Sequence, residues 1–445
     1  MKTRRSNMTL AYLCLMLLLL ASRPSNLLSN QNSRDEQEMV ASLNIQSDRD
    51  MLANFIKADG SLDLSSGFSG ILNPGGWRME YASDGATVFQ ELNYPAAPST
   101  GVKTWYALDP GLNGGVYDIA ISGTDVYAGG AFVSAGGFMS NAHKVARWDG
   151  TAWHALGPGL DKNVSGVAVS GSNIYVGGTF HDAGGVLNAD NIARWDGANW
   201  HALGNGLSDG VWDIAVSGSD VYVGGKFENA GGIANADYIA RWDGSSWNAL
   251  GLGVDAEVFA ITVFGTDVYV GGSFKNGGGK PGADYIARWD GSAWHALGSG
   301  LNLAVQSIAV SGTDVFVGGK FSDAGGIEKA DRIARWDGSS WHALGSGLDS
   351  WVYAIAVSGS DVYAGGYFTD AGGNPHADKV ARWDGLTWHA LFPGLNDNVF
   401  ALAVSGSDVY IGGNFIDAAG ITKADRIVRW GKASPLYLPI ILSKN

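Results

Sequence analysis

Seven Arg-Trp pairs, with tryptophans at Trp148, Trp195, Trp242, Trp289, Trp336, Trp383 and Trp430, follow one another at intervals of 47 residues. A second tryptophan, in a Trp-x-Ala-Leu unit, recurs at Trp105, Trp153, Trp200, Trp247, Trp294, Trp341 and Trp388, and a Gly-Gly pair ends an apolar run seven times, from Gly129-Gly130 to Gly412-Gly413. Self-similarity at about 40 to 50 residues, in strand-like pieces, is the signature of a propeller, where each unit is a sheet that buries its faces only against its neighbours. Composition points the same way. Sixty-six glycines in 445 residues and only 16% charged residues suit a packed, turn-rich β protein and argue against a disordered chain or a helical solenoid.

One unit can be read from residue 211 to 250. Val211 to Val216 is an apolar, partly β-branched run, read as an inner strand buried on both faces, and Ser217-Gly218-Ser219-Asp220 is a tight turn. Val221-Tyr222-Val223-Gly224-Gly225 is the second strand, with glycines that allow a bulge or a close backbone approach. After a 12-residue loop, residues 226–237, come Tyr238 to Trp242 as third strand, the turn Asp243-Gly244-Ser245-Ser246, and Trp247 to Leu250 as fourth. The chain enters the repeat on a lone fourth-strand unit at Trp105 and leaves it on a third strand at Trp430. The expectation is an all-β, seven-bladed β-propeller over residues 101–431, four antiparallel strands per blade, with one-plus-three strand closure that leaves no open terminal blade.

Val-Tyr-Val-Gly-Gly, a loop, an aromatic third strand and Trp-x-x-Leu resemble the kelch repeat over residues 105–430. Tyr-Val-Gly-Gly-x-Phe, Ala-Arg-Trp-Asp-Gly and Leu-Gly-x-Gly-Leu are closest to repeats of secreted bacterial propeller proteins and of fungal cortical cell-polarity markers. Galactose oxidase is similar at the level of its kelch-like blades, but the copper chemistry that this resemblance brings to mind needs a cysteine-crosslinked tyrosine. Asp243-Gly244-Ser245-Ser246-Trp247 imitates the sialidase Asp-box turn with one spacer missing. A resemblance of blades implies a fold and leaves the function to the site.

Lys2, Arg4 and Arg5 precede an apolar run from Leu10 to Ala21, after which the chain turns polar; residues 1–25 read as a secretory signal peptide. Twelve helical residues reach only about 18 Å, short of a hydrocarbon core of roughly 30 Å, so the mature form is expected to carry no transmembrane anchor. The one cysteine, Cys14, lies in this segment, so the mature chain has neither disulfides nor thiolate chemistry. Residues 26–100 lack the repeat and predict a β-hairpin around Ser83-Asp84-Gly85; residues 432–445 form a tail with two prolines. The formal charge of −14 disfavours nucleic acid and anionic lipid as partners. A secreted or cell-surface monomer is the expectation.

Five histidines, His154, His201, His295, His342 and His389, share one repeat position and would be splayed around the rim, which suits structure better than a metal. Six of the seven repeated arginines have an aspartate four residues before them, as Asp237 precedes Arg241, and read as blade-to-blade ion pairs. No cofactor is expected; calcium stays open as a ligand of turn carboxylates, although no Asp-x-Asp-x-Asp loop is present.

In an up-and-down blade, the two-to-three loops and four-to-one connections share one face, and function concentrates on such loops. The Leu-x-x-x-Val connections and the strand starts beyond them differ between blades and offer Asp161, Asp209, Trp212, Asp255, Glu257, Asp349, Trp351, Tyr353 and Asp397 as ligand-binding residues. Carboxylates beside aromatics suit a carbohydrate or protein ligand; the same residue types also cap turns and pack between blades. No nucleophile with its base stands outside the repeat, so the reading is a non-catalytic binding or scaffold module. The alternative is an extracellular glycan-active hydrolase or lyase using acidic residues at the channel mouth.

Overall fold

The computed structural model describes residues 103–108, 110–137, 142–391 and 394–432, Lys57, and the strands Gly70–Leu72, Trp77–Tyr81, Thr87–Glu91 and Ile440–Leu442. The expected signal peptide lies outside the described residues.

Residues 98–433 form one unit, a ring of seven four-stranded antiparallel sheets. The inner strands of blades 1 to 7 begin at Val116, Val164, Val211, Val258, Val305, Val352 and Val399. Blade 3 is representative: inner strand Val211–Ser217, second strand Asp220–Gly225, third strand Ile239–Trp242 and outer strand Trp247–Asn248. Blade 7 takes its outer strand from the start of the ring, Thr104–Ala107, which pairs with Ile427–Gly431 so that Trp105 stands opposite Trp430. The last inner strand also packs on the first, so the ring closes.

The core lies between blades. One buried cluster joins Ala168, Tyr175 and Ile192 of blade 2 to Leu203, Val211, Ile214, Phe227 and Trp247, and the pattern repeats around the ring. The glycine pair ending each second strand is required by this packing. A Cβ on Gly224 would overlap the Val258 side chain of the next blade, and one on Gly225 the carbonyl of Gly210, just before its own inner strand.

Two local readings are corrected. The inner strand is not buried on both faces: its second and third residues, Trp212 and Asp213 in blade 3, are half-exposed to the axial channel. A bulge between Val211 and Asp213 turns both toward it, and all seven inner strands shift register at the corresponding place. The repeated arginines fasten their own blades rather than adjacent ones. Arg241 pairs with Asp220 across the sheet at 2.9 Å, while Asp237 accepts the Asn229 backbone N–H at 2.6 Å. Arg194 alone among the seven finds an asparagine, Asn173, in that place.

The flanks, residues 1–97 and 434–445, form a separate unit. In it Trp77–Tyr81 pairs antiparallel with Thr87–Glu91, and the tail strand Ile440–Leu442 pairs with Gly70–Leu72.

Candidate functional site

The first residue of each four-to-one connection is a loop pin. Its side chain accepts the backbone N–H of the residue 20 positions on: Asp161 from His181 at 2.9 Å, Asp255 from Lys275 at 2.7 Å, Asn302 from Ser322 at 3.0 Å and Asp349 from Thr369 at 2.9 Å. Ser208 does the same for Glu228. Short acceptor side chains fill this position because the loop's N–H would otherwise point away from any partner. Asp349 is engaged on both oxygens, the second by the Thr369 hydroxyl at 2.7 Å.

The next two positions vary, and the structure sorts them into separate groups. On blade 6, Trp351 is 39% exposed and meets the rings of Tyr353 and Tyr367 at centroid distances of 6.4 and 5.8 Å. Tyr353 and Tyr367 both touch Phe400, and Phe400 touches Tyr117, so an aromatic chain runs along the channel mouth from blade 6 to blade 1. Lys320 holds its ammonium 4.5 Å from the Trp351 ring centre. Burial, and then the neighbouring Tyr367, push the Tyr353 phenol up to about 12, which keeps it a hydrogen-bond donor.

Asp209 and Glu257 face a different cavity of about 450 Å³ between blades 3 and 4, with Lys226, Glu228 and Tyr238. Asp209 accepts the Gly210 N–H at 2.7 Å and pairs with Lys226 at 3.1 Å; these contacts hold it below its usual range. Asp397 accepts the Asn398 N–H at 2.7 Å. The nine candidates therefore share one face and its channel without converging on one point. Tyr367, Lys320, Lys226, Glu228 and Tyr238 complete the two groups. They lie in the two-to-three loops, and comparing the seven repeats position by position is the signal that singles them out.

Within the channel, a space of about 220 Å³ is lined by Tyr117, Trp212, Phe259, Tyr353 and Phe400 with Asp118 and Asp213. The Trp212 indole N–H is buried without an acceptor among the described residues. Asp118 accepts the N–H of Ile119 at 2.8 Å and of Val167, in blade 2, at 2.6 Å; Asp213 likewise accepts from Ile214 and from Ile261 of blade 4. Both keep some contact with the channel void. Lying this deep in the ring nevertheless raises both above the usual carboxylate range, and the negative charge of Asp118 raises Asp213 further. With each oxygen pinned by a backbone donor, these carboxyls act as latches between blades.

The opposite face is built from repeated parts. His154, His201, His295, His342 and His389 each bond the aspartate of their own three-to-four turn at 2.5 to 2.6 Å. Among the described residues, eight of the ten exposed large apolar side chains stand on the long-loop side: Val133, Leu187, Ile233, Leu252, Leu303, Ile327, Trp351 and Ile416.

No family model and no curated protein matches the chain. Among solved structures, the computationally designed protein Ika8 aligns with 75% of this chain and 100% of its own length, at 17% identity and a TM-score of 0.46. The WD40 β-propeller domain of Doa1 aligns over 76% and 98%, at 15% identity and 0.46, and YCF48 from Cyanidioschyzon merolae over 74% and 98%, at 14% identity and 0.45. No helix among the described residues is long and apolar enough to cross a membrane.

Proposed function

We propose that the protein is an exported, non-catalytic binding module of kelch-like blades that takes a glycan or protein ligand on the long-loop face. The observation that carries this reading is the contrast between the two faces. Fasteners repeat from blade to blade, whereas exposed apolar side chains and unrepeated aromatics and carboxylates gather around the channel mouth. A site made of repeated residues would occur seven times; one made of the connections can occur once. The carboxylates deepest in the channel already accept two backbone N–H groups each, which leaves them poorly placed for acid–base chemistry.

Trp351 is the anchor. Its exposed ring costs solubility unless it covers a ligand, and Lys320 beside it adds a donor for hydroxyl or carboxylate groups. Trp351→Ala is expected to weaken ligand binding by roughly 1 to 3 kcal/mol with little change in melting temperature. The measurement is a panel of polysaccharides and immobilised extracellular proteins, scoring binding and turnover separately. Turnover of any polysaccharide that is lost on changing Asp209 would replace this reading with a glycan-active enzyme.

A further inference from the structure

The seven blades serve as internal controls for one another. At the left-handed position just before the third strand, blades 1 and 6 carry Lys144 and Lys379, and blades 5 and 7 carry Arg332 and Arg426. Each cation is held by a loop carbonyl of its own blade. Lys144 Nζ donates to the Ala131 carbonyl at 3.0 Å and Lys379 Nζ to that of Tyr367 at 3.0 Å, while Arg332 and Arg426 donate to the carbonyls of Lys320 and Asn414. Four loops of this fold thus hold a cation at one place.

Blade 3 has Tyr238 there instead, at φ 62°. The corresponding carbonyl, on Lys226, accepts no hydrogen bond among the described residues. Where four of the other blades put a cation, this one borders the cavity of about 450 Å³; blade 2 has Asn191 and blade 4 Tyr285 at that place. Three carboxylates, Asp209, Glu228 and Glu257, stand around it against one ammonium, and that ammonium, on Lys226, is paired with Asp209. No hydrogen bond or ion pair reaches the Glu228 or Glu257 carboxylate among the described residues, although Glu257 lies near enough to add to the field on the Lys226 ammonium. No other blade combines acids at the positions of Asp209 and Glu228 with a tyrosine at that of Tyr238.

We propose that this cavity receives a cation from outside, the lysine side chain of a protein partner, with its methylene stem along Tyr238 and its ammonium between Glu228 and Glu257. The proposal rests on the long-loop face being a binding face and supplies the chemistry of one subsite. A compact metal ion fits poorly, because among the described residues no three carboxylates or imidazoles stand close enough to share one. A lysine carries an apolar stem that an aromatic ring can cover and three donors for separated acceptors. The exposed apolar side chains of the same face, Ile233 and Leu252 on these two blades, suit a protein surface better than a sugar.

The test is an NMR titration of the full-length protein with Nα-acetyl-lysine methylamide. Saturable binding is expected, lost when the probe's ε-amine is acetylated and weakened about tenfold or more by Glu228→Gln combined with Glu257→Gln. Tyr238→Lys installs the residue that two sister blades already hold. It is expected to keep the melting temperature and abolish probe binding, because its own ammonium takes the place. The proposal is overturned by absence of saturable binding, by equal binding of the acetylated probe, by unchanged affinity in the double glutamate variant, or by glucosamine binding in preference to lysine. Trp351→Ala, titrated in parallel, should bind the lysine probe normally. Partner or glycan capture that ignores Trp351 would remove the broader reading of the face and leave the cavity result standing.

Discussion

Trp247 sends its indole N–H across a blade seam to the Leu203 carbonyl at 3.2 Å, and Trp153, Trp200, Trp294, Trp341 and Trp388 repeat this bond to the blade before theirs. Trp105 is the exception: its N–H is buried with no acceptor among the described residues. In five other seams the leucine is followed by a glycine at φ near 60°, Gly157, Gly204, Gly251, Gly298 and Gly345, packed against tryptophans of the next blade. Glycine is not a condition of the bond, since Asp109 follows Leu108, whose carbonyl accepts from Trp153. Trp247→Phe should therefore destabilise the protein by about 1 to 3 kcal/mol, since it leaves a buried carbonyl unpaired, whereas Trp105→Phe should cost clearly less. Equal losses of chemical-denaturation stability in the two variants would contradict this. Gly224→Ala belongs to the same scale. Its methyl meets Val258 where the second strand cannot retreat, and a loss of roughly 1 to 3 kcal/mol is expected in the same assay.

Among the elements, strands and closure are legible in the sequence, because Val-Tyr-Val-Gly-Gly and the tryptophan turns announce their own edges. Partners at a distance are not. Nothing in the spacing of Asp237 and Arg241 reveals that strand register sets Arg241 against Asp220. Nor does the pattern show that the third residue of the inner strand is a latch. Asp118 joins blade 1 to 2, Asp213 joins blade 3 to 4, and Ser307 joins blade 5 to 6 by accepting the Ile355 N–H at 2.9 Å; Gly166, Ala260, Ala354 and Ala401 fill the position elsewhere. Since burial raises Asp213 in the folded state, that state binds more protons than the unfolded chain between the two titrations, and stability must fall as pH rises through this window. Asp213→Ser keeps an acceptor without the charge, as Ser307 does. Its melting temperature should fall less than that of the parent protein between pH 5 and about 8, relative to each protein at pH 5. Turn aspartates such as Asp290, held low by His295 and Ser292, lose their contribution only as pH falls below the usual carboxylate range, outside that window. Parallel melting curves for the two proteins would show that Asp213 ionises freely.

At the scale of the ring, the sequence announces seven near-equal units, and their unequal seams appear only in three dimensions. The same holds for the candidate site. Its face was legible from loop length, but the separation of Trp351 from Asp209 and Glu257 follows from their lying on different blades, and Asp161, Asp255 and Asp349 proved to be pins because the loop residue 20 positions on needs an acceptor. Seams differ by their fasteners. Between blades 1 and 2, 3 and 4, and 5 and 6 there is both an inner latch and an outer indole bond; between 6 and 7 neither occurs among the described residues. That seam is also next to the one place where a blade is completed by a strand from the other end of the ring, so blade 7 depends on noncovalent pairing at its outer strand. Lys103, which donates to the Tyr363 hydroxyl of blade 6 at 3.1 Å, and Ser358 of blade 6, whose hydroxyl donates to the Gly406 carbonyl of blade 7 at 3.0 Å, are part-buried or exposed polar contacts and weak substitutes. Local opening begins where fewest interactions must break together. Native-state hydrogen exchange should accordingly give lower opening free energies for the paired amides of Asp408–Gly413 and Ile427–Gly431 than for Asp220–Gly225 and Ile239–Trp242, the matching strands of blade 3. Removing residues 103–108 should lower them further in blade 7 and depress the melting temperature of the whole ring, because the opened edge exposes the Val409 and Trp430 side of the sheet. Uniform protection across the two blades, or a truncated protein that melts with the parent, would mean that the ring is held by its inner strands alone.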